Sequence, residues 1–153
     1  MYIVLWCIIL LFVPISTIYS AFQYLDVGAR QLGMNTAFSA IADDANSVIY
    51  NPAGLGRMTR PEITTMYASL YPGITDRLDE SYFAYIQPLF WFGTIGISGI
   101  GLTSSLYTES VVTISYGRTI PSLPNISLGI NFKYLGKFYV GNDYTRIDPA
   151  FAA

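Results

Sequence analysis

Three side chains that carry oxygen ligands lie close together near the N-terminus, those of Asp43, Asp44 and Asn46. Their oxygens could bind calcium, but they lack the spacing and the distal glutamate of a known calcium loop. Asp43 can instead accept hydrogen bonds from the free N–H groups at the start of a short helix, with Asp44 beside the positive end of the helix dipole. The pattern therefore favours helix capping, and we predict no metal site.

A second acidic group, Asp76, Asp79 and Glu80, lies in a polar stretch between two segments of strand-like sequence. These carboxylates could hold a divalent cation that bridges lipopolysaccharide molecules. A hydrated loop is the simpler interpretation, because connections between strands run over the surface and are polar. We favour the hydrated loop.

The residues that most enzymes use as nucleophiles and bases are missing from this sequence. It has no histidine, and its one cysteine, Cys7, lies in an apolar N-terminal run. Neither a G-x-S-x-G elbow nor a phosphate-binding loop occurs. We therefore predict a protein that is not an enzyme and has no cofactor. Eight Lys and Arg residues and a net charge of −2 also disfavour nucleic-acid binding.

The N-terminal run indicates export. Residues 2–13 are almost wholly apolar, and Pro14 and several small polar residues follow. A run of this length is too short to span a bilayer and is typical of a signal peptide. We predict a signal peptide at 1–20, cleaved after Ser20, although no Lys or Arg precedes Arg30. An uncleaved anchor is the alternative.

Residues 21–59 are predicted to form a compact turn-helix-turn segment, called the plug segment below. Its helix must be short because Asn51 precedes Pro52, and a residue before proline is pushed out of the α region. Gly54 and Gly56 then allow a sharp turn where a Cβ atom would clash.

The order R-x-L-G-M-x-x-A-F-x-A-I-A-D-D-A-N-x-V-x-Y-N-P-A-G-L at 30–55 resembles the N-terminal signature of FadL-like outer-membrane barrels, and most closely their PorV and PorQ type. Asn35 and Thr36 depart from the family, which usually has two small residues there. The resemblance implies a plug inside a barrel and an outer-membrane location. It also implies that the plug or gating residues are Arg30, Gly33, Asp43, Asp44, Asn46, Asn51, Pro52 and Gly54.

From residue 60 onward, apolar and polar residues alternate with the period of a β-strand. Charged residues are only 12% of the chain and aromatics 16%, which is unusual for a soluble domain. The clearest alternation runs over 126–140, longer than the 9 to about 11 residues that a tilted transmembrane strand needs. Similar patterns at 63–71, 82–92, 94–104 and 110–119, and the start of another at 144–153, predict five to six strands in 60–153.

The predicted fold is thus all-β, an antiparallel transmembrane β-barrel preceded by the short helical plug and the signal peptide. Bacterial single-chain barrels begin at about eight strands, so we expect this chain to be the N-terminal part of a longer one. In the first strand we expect Met66 and Ala68 to face lipid. Pro88 removes a ladder donor and predicts a bulge or local irregularity.

Lys133 and Lys137 share the polar face of the clearest strand. They could line a lumen that attracts anionic head groups, or they could pair with plug carboxylates such as Asp43 or Asp44. The sequence leaves both interpretations open.

Two functions follow from the resemblance. FadL-like proteins take hydrophobic small molecules through a plugged lumen, which implies outer-membrane lipid and a hydrophobic ligand as partners. PorV-like relatives instead act with secretion-system proteins in protein secretion and surface attachment. A third interpretation, a soluble exported β-sandwich or an adhesin, is disfavoured by the low charge content and the long alternating strand.

Overall fold

The structure is a computed structural model that describes residues 26–35, 37–73 and 77–139. The predicted signal peptide at 1–20 and the predicted sixth strand at 144–153 lie outside the described residues. The elements in chain order are helix α1 (Ala29–Gly33), a 3-10 turn (Ala37–Ala40), helix α2 (Ser47–Tyr50), a 3-10 turn (Pro52–Arg57), strands β1 (Glu62–Ser69) and β2 (Asp79–Pro88), a 3-10 turn (Phe90–Phe92), and strands β3 (Thr94–Thr103), β4 (Tyr107–Ile120) and β5 (Leu123–Tyr139).

The strands form one antiparallel meander in the order β1-β2-β3-β4-β5, each paired with the next along the chain. The all-β prediction and the five strands are confirmed. Within the described residues β1 and β5 do not pair with each other, so the sheet has two open edges. The last hairpin is tight, because β4 ends at Ile120 and β5 begins at Leu123.

The two faces of the sheet differ sharply in chemistry, and we call them the outward face and the inward face. Large apolar side chains that remain exposed occupy the outward face: Ile63, Tyr67, Phe83, Tyr85, Ile95, Ile97, Val112, Ile114, Tyr116, Leu128, Ile130, Phe132, Tyr134 and Phe138. The inward face carries small and polar residues together with buried apolar ones such as Ile86, and the plug segment packs against part of it. Residues such as Thr94, Ser98, Thr113 and Ser115 are buried there.

The first strand has the opposite orientation to the one predicted. Tyr67 is on the outward face and is 71% exposed, whereas Met66 packs against the buried cluster of Val27, Tyr82 and Ala84. The physical reason is that the plug segment supplies an apolar partner on the inward side, which the sequence of β1 alone does not show. The expectation for Met66 and Ala68 was therefore wrong.

Pro88 does not produce a bulge within β2. It is the last residue of that strand and stays in register with Thr94, and the chain then makes the Phe90–Phe92 turn. The register shift of the sheet falls between Thr119 and Ile120 instead.

The core lies between the plug segment and the inward face. One buried cluster joins Ala45, Val48 and Leu55 of the plug segment to Ile86 of β2, with Met58 packed against it. Fully burying a side chain such as Leu55 contributes about 1.5–3 kcal/mol. The short helices therefore depend on packing against the sheet, since helices of four or five residues are not stable alone.

Among the described residues, none of the helices has the length and apolar character that crossing a membrane would require.

Candidate functional site

The plug segment lies on a seat made by glycines of β4 and β5. Gly117 and Gly129 are partners in register, and both face the Pro52–Arg57 turn. A Cβ atom on Gly117 would lie 2.7 Å from the Cβ of Leu55 and 3.0 Å from the amide nitrogen of Gly56. A Cβ on Gly129 would collide with the backbone of Pro52 and Ala53. Only glycine at these two positions lets the plug backbone approach the sheet so closely.

Side-chain hydroxyls of β4 then bind plug carbonyls. The Thr119 hydroxyl donates to the carbonyl of Gly56 at 2.9 Å, and the Ser115 hydroxyl donates to the carbonyl of Val48 at 3.0 Å. Each such neutral hydrogen bond contributes about 0.5–1.5 kcal/mol. Together with the glycine seat they fix the height and position of the plug segment on the sheet.

Asn51 ends helix α2, as its place before Pro52 predicted, and its side chain holds the turn that follows. Its backbone is extended (φ −159°), so helix α2 ends there, and its side-chain oxygen accepts from the amide of Ala53 at 3.1 Å. Its side-chain nitrogen donates to the carbonyl of Ser39 at 2.8 Å. Gly54, in the turn that follows, packs against Ala42. The Cβ of Ala42 lies 2.5 Å from the place that a Cβ on Gly54 would take.

The other aspartate of the acidic pair binds Asn46, the N-cap residue of helix α2, whose own side chain makes no capping hydrogen bond. The Asp44 side chain accepts from the backbone amide and the side-chain nitrogen of Asn46, both at 2.8 Å. It also accepts from the side-chain nitrogen of Gln31 at 3.2 Å. The prediction that Asp43 caps this helix was wrong, because Asp43 points away from the helix toward Arg30.

Arg30 bridges both aspartates across the plug segment. Its guanidinium binds the two Asp43 oxygens at 2.5 and 3.1 Å and an Asp44 oxygen at 3.1 Å. These hydrogen bonds hold the pKa of Asp43 below its ordinary value and raise the pKa of Arg30. Phe38 is fully buried and lies 5.6 Å below the guanidinium. The ion pairs of Arg30 with Asp43 and Asp44 therefore hold α1 against the loop before α2.

Two residues of the plug segment remain, the predicted Gly33 and Tyr50, which was not predicted. The Tyr50 hydroxyl donates to the carbonyl of Val27 at 2.8 Å, and burial raises the pKa of this phenol. Gly33 ends α1 in open space, with no atom within 4 Å of the place that a Cβ would take, so it makes no close approach.

The two lysines share the inward face, as predicted. Lys137 pairs with Glu109 of β4 at 2.5 Å, and its ammonium lies 4.6 Å from the ring centre of Tyr107. The suggested pairing of Lys137 with a plug carboxylate was wrong, since Asp43 and Asp44 bind Arg30. Lys133 faces inward opposite Thr113.

The acidic stretch Asp76, Asp79 and Glu80, predicted to be a hydrated loop, is not a loop at its two described residues. Asp79 and Glu80 belong to β2, and Glu80 faces inward with only 2% of its surface exposed. Glu80 is therefore not a hydrated loop residue. Asp76 lies outside the described residues.

Sequence reasoning missed Gln31, which is buried beside Gly28. Its side-chain oxygen and that of Asn46 have no hydrogen-bond partner among the described residues, and both lie close to the place that a Cβ on Gly28 would take. Their nitrogens are engaged by Asp44, which fixes this orientation. Sequence reasoning missed the seat glycines as well. Their position on the small-residue face of β4 and β5 was the available signal.

A pocket of about 420 Å³ opens beside the plug segment where it joins β1. Met58, Thr59, Gln87, Phe90 and Thr94 are among its lining residues. The lining is a mixture of apolar and neutral polar side chains. Its size suits a small molecule.

No group of three or more His, Cys, Asp and Glu side chains within the described ranges is arranged to hold a metal ion. Comparison of the chain with protein-family models, with curated proteins and with solved structures finds no match.

Proposed function

We propose that this chain forms strands of an outer-membrane β-barrel of the FadL-like type, in which the plug segment controls the passage of a hydrophobic small molecule. The signal peptide predicted at 1–20 would direct export. The N-terminal sequence signature motivates the family, and the chemistry of the sheet supports the location.

The outward face is the observation that carries the proposal. Its large apolar side chains lie on all five strands and remain exposed, as with Phe132 at 67%. Monomeric soluble proteins rarely expose contiguous apolar patches of more than a few hundred Å². Apolar residues outward and small or polar residues inward is the pattern of a transmembrane barrel strand.

The open edges of β1 and β5 fit the same proposal. In lipid, backbone N–H and C=O groups have no water to bind, so strands must close into a barrel. Further strands would therefore have to pair with β1 and β5. The inward face, with Lys133, Lys137 and Glu80, would then border the lumen.

We propose transport because of the way in which the plug segment is held against the sheet. The plug segment is held by its buried clusters, the glycine seat and two hydroxyl contacts, and not by strand pairing. A shift of this segment would therefore uncover the inward face without breaking the sheet. The pocket beside Met58 and Thr94 offers an apolar molecule a path at the end of the sheet where β1 begins. Burial of such a molecule contributes roughly 25 cal/mol per Å².

The first test is location. The full-length protein is expressed in a Gram-negative host, and the outer membrane is separated from the soluble fraction. We expect the protein in the outer membrane, extractable only by detergent. Recovery of the processed protein in the aqueous phase without detergent would reject the barrel and favour the soluble sandwich.

The second test is uptake of radiolabelled oleate and of toluene by a host strain that lacks its own fatty-acid channel. We expect the wild-type protein to restore uptake of one probe and Asn51→Ala to change the rate. Unchanged uptake after deletion of the plug segment would reject gating. If neither probe enters and a pull-down in gentle detergent recovers secretion proteins, the PorV-like function replaces transport.

A further inference from the structure

A groove of about 520 Å³ lies on the sheet at the end where β4 turns into β5. Its walls include Tyr116, Ile120, Leu128 and Ile130. Leu128 and Ile130 are exposed residues of the outward face, so the groove continues the apolar surface proposed to contact lipid.

One cationic side chain, that of Arg118, is among the residues that line this groove. Arg118 is exposed on the outward face, in register with Leu128. None of the ion pairs identified within the described residues involves Arg118. An exposed guanidinium beside apolar walls suits a ligand that carries an anionic group on an apolar chain, since its planar donors bind phosphate with two hydrogen bonds.

The Phe90–Phe92 turn lies next to Arg118. The Cβ of Arg118 is 3.1 Å from the place that a Cβ on Gly93 would take. Phe90 is 100% exposed and Trp91 86%. The turn is closed by a hydrogen bond of 2.7 Å from the amide of Leu89 to the carbonyl of Gly93. The Tyr116 hydroxyl donates to the carbonyl of Phe92, which ties the turn to the groove.

We propose that Arg118 and this groove bind an anionic phospholipid. The guanidinium binds the phosphate, an acyl chain lies along Leu128 and Ile130, and Trp91 sits at the boundary between head groups and acyl chains, where tryptophan is enriched. This site rests on the proposed function, because it needs the outward face to contact lipid. A water-soluble phosphate compound would gain nothing from the apolar walls.

The test uses Trp91 as the reporter. Residues 1–153 contain two tryptophans, and Trp6→Phe leaves Trp91 as the only one among them. This protein is refolded into phosphatidylcholine vesicles in which a fraction of the lipid is brominated phosphatidylglycerol or brominated phosphatidylcholine. Quenching against lipid fraction yields the ratio of the two lipid affinities beside Trp91.

We expect phosphatidylglycerol to be preferred by about fivefold, the effect of one Arg near an anionic head group. In Arg118→Gln the preference should fall to about one, and Arg118→Lys should retain most of it. Arg77→Gln is the matched control, because it removes the same charge from the exposed loop at the opposite end of the sheet and should leave the preference unchanged. Equal preference in Arg118→Gln and wild type would overturn the site.

Two further measurements separate the alternatives. Inorganic phosphate in excess, at constant ionic strength, should not reduce the preference; if it does, the site binds free phosphate and the lipid proposal fails. In a Trp6→Phe/Trp91→Phe/Phe132→Trp variant, bromines on the acyl chain should quench the reporter on β5. Without that quenching the barrel proposal fails together with this site. With it, the absence of a preference at Trp91 rejects the lipid site alone.

Discussion

Replacing Gly117 by alanine should lift the plug segment from the sheet. The added Cβ would lie 2.7 Å from the Cβ of Leu55, whereas carbon atoms in contact are about 3.5–4.0 Å apart. The Pro52–Arg57 turn must therefore move by about 1 Å, because the β4 backbone is held by pairing on both sides. Such overpacking costs about 1–3 kcal/mol.

Hydrogen exchange of the plug amides measures the loss of local stability that this displacement causes. The amide of Gly54 bonds to the carbonyl of Asn51 at 3.0 Å and that of Met58 to the carbonyl of Leu55 at 3.1 Å, so both report on the turn. A cost of about 1–3 kcal/mol raises the opening equilibrium by about five- to 150-fold. We expect these amides to exchange faster by that factor, while amides of β3 keep their rates. Gly129→Ala should act similarly, and the double variant should cost less than the sum because one displaced turn relieves both clashes.

Gly99→Ala is the control for the change of residue type. Gly99 lies in β3, and a Cβ there would have no atom within 4 Å, so this variant should leave plug exchange unchanged. If Gly117→Ala leaves the Gly54 and Met58 amides as protected as in the wild type, the close approach of plug and sheet is wrong, and the gating argument loses its basis.

Three other outcomes are expected. The pKa of Asp43 is below its ordinary value of 3.8, so its pairing with Arg30 stabilises the plug segment above pH 3.8, and this stabilisation is lost as pH falls through the lowered pKa. The protection factors of the plug amides, which correct for the acid dependence of intrinsic exchange, should therefore fall below about pH 4 in wild type. Asp43→Asn should show lower protection at pH 7 and a weaker acid dependence. Ile114→Arg places a charge on the outward face and should cost about 2–4 kcal/mol of stability in vesicles, read from urea unfolding, with much less effect if that face contacts water. Asn51→Ala removes the hydrogen bond to the Ala53 amide and should destabilise the turn by about 1 kcal/mol, seen as faster exchange of that amide, whereas unchanged exchange would show that Asn51 does not hold the turn.

The strands were predictable because each carries its own signal. The alternation at 126–140 predicted a long strand, and β5 runs over Leu123–Tyr139. The position of Asn51 before Pro52 predicted the end of α2, since that restriction is local to two residues. In both cases the physics involves only neighbours along the chain.

The errors fall where the partner is distant in sequence. Met66 and Tyr67 are both apolar, so β1 has no preference for one face until Val27 and Tyr82 are placed beside Met66. Asp43 and Asp44 are equally suited to cap a helix, and Arg30 decides between them by binding both oxygens of Asp43. Lys137 likewise finds Glu109, which lies on the neighbouring strand.

The outward face and the plug seat depend on the same strand register. Gly117 pairs with Gly129 on the inward side, and the neighbouring pair, Tyr116 with Ile130, faces outward. A slip of one residue exchanges the two faces of a strand, so it would place a tyrosine under the plug segment and glycine toward the proposed lipid. The register shift at Thr119 and Ile120 lies beyond this pair, near the turn, so the pairing of Gly117 with Gly129 is kept. One alternating pattern therefore specifies both surfaces. In β4 and β5 the glycines that seat the plug segment face inward, and the apolar residues next to them in sequence face the proposed lipid.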